Sequence, residues 1–511
     1  MENLQMLFMG FGTVFTLQRL AVCLLGAFLG LVVGAMPGIG SLAGCALLLP
    51  LTYKFEPTAA IIMLGALYYS NMYGGAFSAI LLNIPGDSPA VMTTLDGHPM
   101  AKKGMPGQAL LTANISSCIG GIIGMFILTF MGPALANFGL KFGPAEMTTL
   151  MIMAMTSIGW LLGDDPLRGT ISTLLGFILA SIGMDPLTGS PRYNFGSLHL
   201  MGGIPFVPFV IGAVGFSQVI GLMLERYKSI PMPKDKLTLR GSLLTKSQWL
   251  RLLPPAIRSG VAGTFIGVLP GSGATTASFL GYAIQKGFKS KEPLGTGAVE
   301  GIAACESANN AAAAGSFAPL LALGIPGSGT GAVLLGGLMM WGLNPGPLLF
   351  TNEPEFAWGL IASLFIANII ALGIAFLIIP HLVKILAVPV KYMIPIITVV
   401  CFVGAYATSQ SMYGVIVMVC SGVVGYFFKK ADLPVAPMLL TFVLSPIFES
   451  NMRRAFISSG GSLGIFVSST LSTVFLVITV LLVCSPAIKA AVRKLRGPKP
   501  AADGDESGAA K

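Results

Sequence analysis

Long apolar segments separated by short polar connections dominate the chain. Residues 116–140, 355–383 and 461–486 each form a nearly uncharged run longer than the roughly 18 residues that indicate a membrane helix. Hydrocarbon offers backbone amides no partner, so only helices and closed barrels cross it. The runs are continuous and do not alternate with polar residues, which favours helices. The pattern predicts an all-α polytopic membrane protein with about 10–12 transmembrane helices.

Composition supports a membrane protein and argues against a soluble one. The chain is 54% hydrophobic and 10% charged, whereas about a quarter of a soluble domain is charged. The net charge is +10, but the basic residues lie mainly in short loops and the tail, as the positive-inside rule expects, which argues against nucleic-acid binding. The seven cysteines and three histidines show neither CxxC nor metal-ligand spacing, so we expect no metal site. The first segment lacks the features of a removed signal peptide, so we expect it to be retained.

An internal repeat relates the two halves of the chain. GLVVGAMPGIGSLAG from Gly30 and GTFIGVLPGSGATTA from Gly263 share glycine and proline at matching positions, 233 residues apart. Further matches lie downstream, 239 to 241 residues apart: Asn71 with Asn310, Gly75 with Gly315, and Ile84-Pro85-Gly86 with Ile325-Pro326-Gly327. Two motifs in the same order at similar spacing indicate a duplication.

Charges beside the repeats predict that the second half is inverted. The loop after the second P-G-x-G motif, KGFKSKEP, carries three lysines, whereas the matching first-half loop, YKFEP, has only Lys54. Further along, the first half has Lys102 and Lys103, whereas the second has the uncharged WGLNPGP. Opposite charge bias at matching loops is typical of inverted-topology repeats.

Short apolar segments flank each P-G-x-G motif. Residues 254–269 and 274–285 are shorter than the roughly 20 residues of a full span. They predict a re-entrant hairpin with its tip at Pro270-Gly271-Ser272-Gly273, and residues 20–53 predict another with its tip at 37–40. The predicted organisation is a first membrane repeat (1–224), a basic cytoplasmic connecting loop (225–251), a second membrane repeat (252–386), C-terminal transmembrane helices (387–488) and a basic, then disordered, cytoplasmic tail (489–511).

Proline and glycine interrupt each half twice, at the P-G-x-G and I-P-G motifs. Interrupted membrane helices are tolerated where the backbone lines a polar cavity, and secondary carriers use the freed N–H and C=O groups to bind anions and cations. Amide and hydroxyl donors of this kind suit carboxylates or phosphates. The predicted substrate-binding residues are Pro37, Gly38, Gly40, Asn71, Tyr73, Gly74, Gly75, Asn83, Gly86 and Ser88 in the first half, and Gly271, Ser272, Gly273, Ser307, Asn309, Asn310, Gly327, Ser328, Gly329 and Thr330 in the second.

Two acidic residues lie nearest the interruptions. Asp87 and Glu306 are candidates for coupling to Na⁺ or H⁺, because ionisable residues in membrane segments are costly and often functional. The alternative for each is a surface-loop residue or a helix cap. Asp96 and His98, close to Lys102 and Lys103, are predicted to lie in a cytoplasmic loop.

Enzymatic functions find little support. GVLPGSGATT resembles a phosphate-binding loop but lacks its lysine, and Pro-Gly-Asp at 85–87 has no second aspartate at comparable depth for an aspartyl protease. We therefore predict a transporter without an enzymatic activity or a bound cofactor. An anion channel and a non-transporting membrane scaffold are the alternatives.

Several motifs together resemble a known family. They are YGGAFSAILLNIPGDSPAVMTTLDGHPMAKKG, GVLPGSGATTASF, EGIAACESANNAAAAGSFAPLLALGIPGSGTGAVLLGG and GLNPGPLLF, and they are similar to those of the large membrane subunit, the permease, of bacterial tripartite tricarboxylate transporters. The resemblance implies uptake of citrate or other carboxylates across the bacterial inner membrane, driven by an ion gradient. It also implies two partners, a small membrane subunit and a periplasmic solute-binding protein, and a binding role for the glycine- and proline-rich motifs.

Overall fold

The computed structural model describes residues 2–36, 39–161, 166–185, 188–224, 237–386 and 390–495. Pro37 and Gly38 of the predicted site, residues 225–236 of the connecting loop and the tail from residue 496 onward lie outside the described residues.

Helices account for most of the described chain. Those before the connecting loop are α1 (Glu2–Val14), α2 (Leu17–Ala35), α3 (Gly40–Leu48), α4 (Pro57–Leu82), α5 (Thr93–Lys102), α6 (Pro106–Gly139), α7 (Pro144–Leu161), α8 (Pro166–Ala180), α9 (Leu198–Met201), α10 (Phe206–Val210) and α11 (Ser217–Leu224). Those after it are α12 (Lys246–Val268), α13 (Gly273–Lys286), α14 (Val299–Gly315), α15 (Phe317–Leu323), α16 (Gly329–Met340), α17 (Leu349–Asn352), α18 (Pro354–Ile378), α19 (Leu382–Leu386), α20 (Val390–Ser409), α21 (Met412–Lys430), α22 (Val435–Ser458) and α23 (Thr470–Leu495).

Shorter elements connect the α-helices. The 3₁₀ helices are Leu49–Lys54, Ser88–Val91, Arg240–Ser242, Ile379–His381 and Leu463–Val467, and a π-helical turn, Ile211–Phe216, joins α10 to α11. Two short antiparallel strands, β1 (Gly183–Met184) and β2 (Pro191–Arg192), form a hairpin.

Six helical segments among the described residues are long and apolar enough to cross a membrane. They are Leu17–Ala35, Pro106–Gly139, Phe206–Leu224, Pro354–Lys384, Met412–Lys430 and Val435–Ser458. Four shorter apolar helices, at 166–180, 329–340, 394–409 and 470–484, accompany them. The prediction of an all-α polytopic membrane protein is confirmed.

Glycines hold α2 in close contact with α4, and α12 in close contact with α14. A Cβ atom on Gly30 would lie 2.4 Å from the Leu67 carbonyl oxygen, and one on Gly263 would lie 2.3 Å from that of Ala308, so the backbones approach as only glycine allows. The same contact recurs along both pairs of helices, Gly26 with Met63, Gly30 with Leu67, Gly34 with Asn71, Gly263 with Ala308 and Gly267 with Ala312. Because residue numbers rise together in each pair, α2 runs parallel to α4 and α12 runs parallel to α14.

These contacts correct the alignment of the two halves. Gly34 meets Asn71, and the equivalent Gly267 meets Ala312, so Ala312 and not Asn310 is the counterpart of Asn71. Gly74 packs on α2 as Gly315 packs on α12, so Gly74 and not Gly75 matches Gly315. The spacing downstream of the hairpins is therefore a constant 241 residues, and the extra asparagine in SANNAAAAG misled the sequence comparison.

The two halves run in opposite directions, as predicted. The order of contacts along each pair of helices gives their relative direction. By this criterion α4 is parallel to α18, α6 is antiparallel to α18, and α6 is parallel to α14. The contacts are Thr58 with Gly359 and Tyr73 with Asn368 for the first pair, Cys118 with Asn368 and Gly132 with Phe350, just before α18, for the second, and Gly120 with Ser307 and Gly124 with Ala311 for the third. Helix α4 is thus antiparallel to its counterpart α14, which is the relation that defines inverted repeats.

Each P-G-x-G motif joins two helices that fold back on each other. Helix α2 ends at Ala35, beside Asn71, which is about 20 Å along α4 from its start at 1.5 Å per residue. The tip of the hairpin is therefore level with the interior of α4. In the second half, α12 is longer than predicted, because a capping box of Thr245 and Gln248 starts it at Lys246.

Candidate functional site

The helix of the first half breaks at the I-P-G motif. Helix α4 ends at Asn83, which has a left-handed conformation with φ of 58°, since Pro85 cannot continue the helical hydrogen bonding. Gly86 then rests on the first hairpin, where a Cβ atom would lie 1.9 Å from the Gly34 carbonyl oxygen. Asp87 follows and caps the 3₁₀ helix Ser88–Val91 by accepting a hydrogen bond from the Ser88 N–H at 2.8 Å.

The second half breaks in the same way. Helix α15 ends at Gly324 with φ of 68°, in the conformation of Asn83. The Gly327 carbonyl accepts a hydrogen bond from Gly271 at the tip of the second hairpin, 3.2 Å away. Ser328 caps α16, its hydroxyl accepting from the Gly331 N–H at 3.1 Å.

Asp87 ties the first break to the first hairpin. One oxygen of its carboxylate accepts hydrogen bonds from the Ser41 N–H and the Asn71 side-chain amide, both at 2.9 Å. Gly40 makes this approach possible, since its φ is 63° and a Cβ atom there would lie 2.9 Å from the Asp87 carboxylate. The proline and glycine of each motif therefore bring polar groups together.

Contacts between the halves complete the arrangement. The hydroxyls of Ser41 and Thr330 lie 3.0 Å apart, and that of Tyr68 lies 3.4 Å from that of Ser328. Helix α3 contacts α16, and α13 contacts the 3₁₀ helix Ser88–Val91. We call the resulting region the four-break junction; it consists of residues 39–41, 83–88, 271–273 and 324–330.

The four-break junction offers donors for an anion without a cationic side chain. Its residues include no lysine or arginine, so an anion there would be bound by backbone N–H and hydroxyl groups, as at helix N-termini elsewhere. Asp87 and Ser328 are partly exposed, whereas Ser41 and Thr330 are buried. The side of the junction that carries Asp87 and Ser328 is therefore its more open side.

Thirteen of the predicted binding residues that the structure describes fall in the junction or in direct contact with it: Gly40, Asn71, Gly75, Asn83, Gly86, Ser88, Gly271, Ser272, Gly273, Gly327, Ser328, Gly329 and Thr330. The Ser272 hydroxyl donates to the Leu269 carbonyl at 2.9 Å and so closes the hairpin tip.

Other predicted residues lie in helix interfaces. The Tyr73 hydroxyl donates to Asn368 of α18, and a Cβ atom on Gly74 would lie 2.3 Å from the Leu31 carbonyl oxygen. The Ser307 hydroxyl donates to the Ala256 carbonyl at 2.5 Å. These three residues join helices in this structure.

Glu306 forms a second polar cluster, with Asn309 and Asn310. Its carboxylate is fully buried and accepts hydrogen bonds from the hydroxyl of Thr93 on α5, the hydroxyl of Ser117 on α6 at 3.0 Å and the amide of Asn309 at 3.2 Å. Asn310 donates to the Asn309 side-chain oxygen at 2.6 Å. Within the described chain its own buried Oδ1 has no hydrogen-bond partner.

Asp96 and His98 lie in a helix and not in the predicted loop. Asp96 belongs to α5 and is fully buried. Its carboxylate accepts hydrogen bonds from the Tyr282 hydroxyl and from the N–H groups of Gly295, Gly297 and Ala298 at 2.7 to 2.9 Å. It therefore anchors the start of α14, where carboxylates are favourable. His98 is half-buried, with Nδ1 3.0 Å from the Ile80 carbonyl.

Sequence reasoning missed four polar side chains at these clusters: Ser41, Tyr68, Thr93 and Ser117. Ser41 follows the first P-G-x-G motif directly, so its position was a usable signal. The other three come close only through contacts between α4, α5, α6 and the second half. The described residues contain no group of three or more His, Cys, Asp or Glu side chains able to hold a metal ion.

An apolar cavity of about 380 Å³ lies outside these clusters. Phe206, Gly336, Met339, Phe442 and Pro446 are among the residues that line it. None of the predicted binding residues lines it, and its apolar surface does not suit a carboxylate.

Comparisons with known proteins agree with the architecture. The family model described as the tripartite tricarboxylate transporter TctA family matches residues 20–440. A protein of Agrobacterium vitis, described as an uncharacterized 52.8 kDa protein in the TAR-I ttuC′ 3′ region, is 36% identical over 480 residues, which are 94% of this chain and 95% of that protein. A second protein of the same organism, from the TAR-II ttuC′ 3′ region, is 38% identical over 232 residues, 44% of this chain and 96% of that protein. Since both the family model and the first relative cover most of its length, this chain is a member of the tripartite tricarboxylate transporter TctA family.

Proposed function

We propose that the protein is the large permease subunit of a three-component system for secondary active uptake of tricarboxylates or related carboxylates across the bacterial inner membrane. The observation that carries the proposal is the meeting of four backbone breaks from two inverted halves, linked by the hydrogen bond between Ser41 and Thr330. Interrupted helices of inverted repeats, meeting in the membrane, are the usual substrate site of secondary carriers. Citrate and similar carboxylates would bind there through N–H and hydroxyl donors.

Charge supports an orientation in the membrane. The start of α12, the loop after α13 and the end of α5 lie close together, because Gly297 packs on Met100 and Arg251 pairs with Glu300. This end of the bundle carries Lys102, Lys103 and the lysines of the 286–291 loop. By the positive-inside rule this end is cytoplasmic, with the connecting loop and the C-terminal tail on the same side. A periplasmic solute-binding protein would deliver substrate at the other end, and a small membrane subunit completes the system.

Glu306 is our candidate for the coupling site. A carboxylate and two hydroxyls provide oxygen ligands for Na⁺ or an acceptor for H⁺. Thr93 follows the first break and Ser117 lies on α6, so an ion bound at Glu306 changes contacts between the two halves. Asp87, the other candidate, is partly exposed, whereas Glu306 is fully buried inside the bundle, where ionisable residues mark ion pathways.

Uptake of labelled citrate, succinate and tartrate tests the proposal. Cells expressing this chain with its two partner subunits should accumulate at least one of these carboxylates, and cells lacking this chain should not. Thr330→Val removes the hydroxyl that bonds Ser41, and the loss of about 1 kcal/mol should lower uptake roughly fivefold at equal membrane level. Thr351→Val, at an exposed threonine of α17, is the matched control and should leave uptake unchanged.

Two results would contradict the proposal. Absence of carboxylate accumulation with all three subunits in the membrane favours a scaffold. Uptake that never exceeds the equilibrium distribution favours an anion channel.

A further inference from the structure

The two helix breaks have the same backbone conformation but different side chains at one position. Asp87 and Ser328 are equivalent, since each follows Ile-Pro-Gly, each has an extended backbone and each caps the next helix. The difference is that a carboxylate occupies the first half and a hydroxyl occupies the second.

The carboxylate of Asp87 is held where a ligand anion would bind. Its partners are the Ser41 N–H near the start of α3 and the amide of Asn71. Backbone N–H groups at the start of a helix, together with a neighbouring side-chain amide, are the donors that recognise free carboxylates. A side chain of the protein thus occupies the anion position of the first half.

The second half lacks both the carboxylate of Asp87 and the side-chain amide of Asn71. The counterpart of Asn71 is Ala312, and the counterpart of Asp87 is Ser328, whose hydroxyl bonds the Gly331 N–H. The carboxylate and the amide that holds it therefore occur together in one half and are both absent at the equivalent positions of the other. The second half keeps the hydroxyls of Ser328 and Thr330 but has no carboxylate at the position equivalent to Asp87.

The negative charge of Asp87 lies next to the hydroxyl donors of the second half. Ser41 bonds Asp87 through its N–H and Thr330 through its hydroxyl at 3.0 Å. No lysine or arginine of the four-break junction neutralises the carboxylate. A substrate bound by Thr330 and Ser328 therefore meets a negative charge on the side of the first half, and repulsion between like charges weakens with distance but persists where water is partly excluded.

We propose that Asp87 is a specificity-determining residue, an internal carboxylate that fills the anion position of the first half and limits how much negative charge a substrate can bring into the four-break junction. This inference rests on the proposed function. It assigns Asp87 to substrate selection by charge, and not to binding of the coupling ion.

Replacing Asp87 by its counterpart from the other half tests the inference. Lactate, succinate and citrate carry one, two and three carboxylates when fully ionised, and kcat/KM for uptake of each is measured at a pH where all are ionised. Asp87→Ser should raise the ratio of citrate to lactate uptake by about tenfold or more, as removal of one nearby like charge predicts. Asp87→Asn, which keeps the shape and an acceptor oxygen, should shift the ratio in the same direction if the serine variant does not reach the membrane.

A matched control variant and the dependence of uptake on the coupling ion separate the possible roles of Asp87. Asp432→Asn removes an exposed carboxylate that pairs with Arg168 and should leave the ratio unchanged. An unchanged ratio of citrate to lactate uptake in both Asp87 variants overturns the inference. An equal loss of kcat/KM for all three substrates, together with an altered dependence on Na⁺ or H⁺, also overturns it, because that is the result expected if Asp87 binds the coupling cation. Absence of uptake by the unaltered chain is the separate result that overturns the proposed function.

Discussion

Glu306 is fully buried on α14, yet both of its carboxylate oxygens accept hydrogen bonds. Removing an ionised carboxylate from water costs several kcal/mol unless charges and hydrogen bonds compensate. The donors come from α5 and α6 and from Asn309 of the same helix, so the state of this one side chain affects how three helices hold together. A bound proton or cation would change that state directly.

Glu306→Gln therefore separates coupling from substrate binding. The glutamine oxygen can accept from Ser117 and Asn309 while its NH2 group donates to the Thr93 hydroxyl, so we expect the protein to fold and to retain exchange of labelled for unlabelled substrate. Accumulation driven by a Na⁺ or H⁺ gradient should fall to background, because the neutral amide neither binds a proton nor attracts a cation. Exchange and gradient-driven uptake are measured in the same vesicles. Gradient-driven accumulation at the level of the unaltered protein contradicts the assignment.

At the scale of the helices, glycine spacing sets how closely each hairpin packs. A Cβ atom on Gly267 would lie 2.1 Å from the Ala312 carbonyl oxygen, which belongs to the backbone and cannot rotate away. The same packing positions Gly34 beside Asn71 in the first half. These contacts fix the depth of the hairpin tips and hence of the four-break junction.

Gly267→Ala should lower stability and uptake together. Forcing α12 from α14 costs about 1–3 kcal/mol, as other overpacked contacts do, so the unfolding midpoint in detergent should fall. Gly373→Ala in α18 is the matched control, since a Cβ atom there meets nothing within 4 Å and alanine favours helix. Midpoints are followed by size-exclusion chromatography after heating. Equal midpoints for the two variants contradict the packing argument.

The sequence predicted the breaks and the inverted halves because both depend on local residue types. Proline and glycine mark interrupted helices wherever they fold, and lysine bias follows membrane sidedness. Pairings between distant segments could not be read in this way. Asp96 looked like a loop residue because its partners, the amides near Gly297, lie about 200 residues away, and no local pattern pairs Tyr73 with Asn368 of α18.

At the scale of the whole molecule, inversion gives the two halves similar breaks that approach the four-break junction from opposite ends. The junction combines an internal carboxylate on one side with hydroxyl donors on the other, and the Glu306 cluster lies between α14 and the helices of the first half. Movement of one half against the other would expose the junction to alternate sides, as carriers built from inverted repeats require.

Substrate protection at the four-break junction tests the central claim most directly. Ser88 is exposed beside Asp87, and five of the seven cysteines are buried, so replacing Cys420 and Cys484 by serine leaves Ser88→Cys as the reactive thiol. A transported carboxylate at ten times its Kd should slow labelling of that thiol about tenfold by mass action, while a cysteine at exposed Lys289 should label at the same rate with and without substrate. Unslowed labelling at position 88, in a variant that still transports that carboxylate, would contradict the placement of the substrate site at the four-break junction.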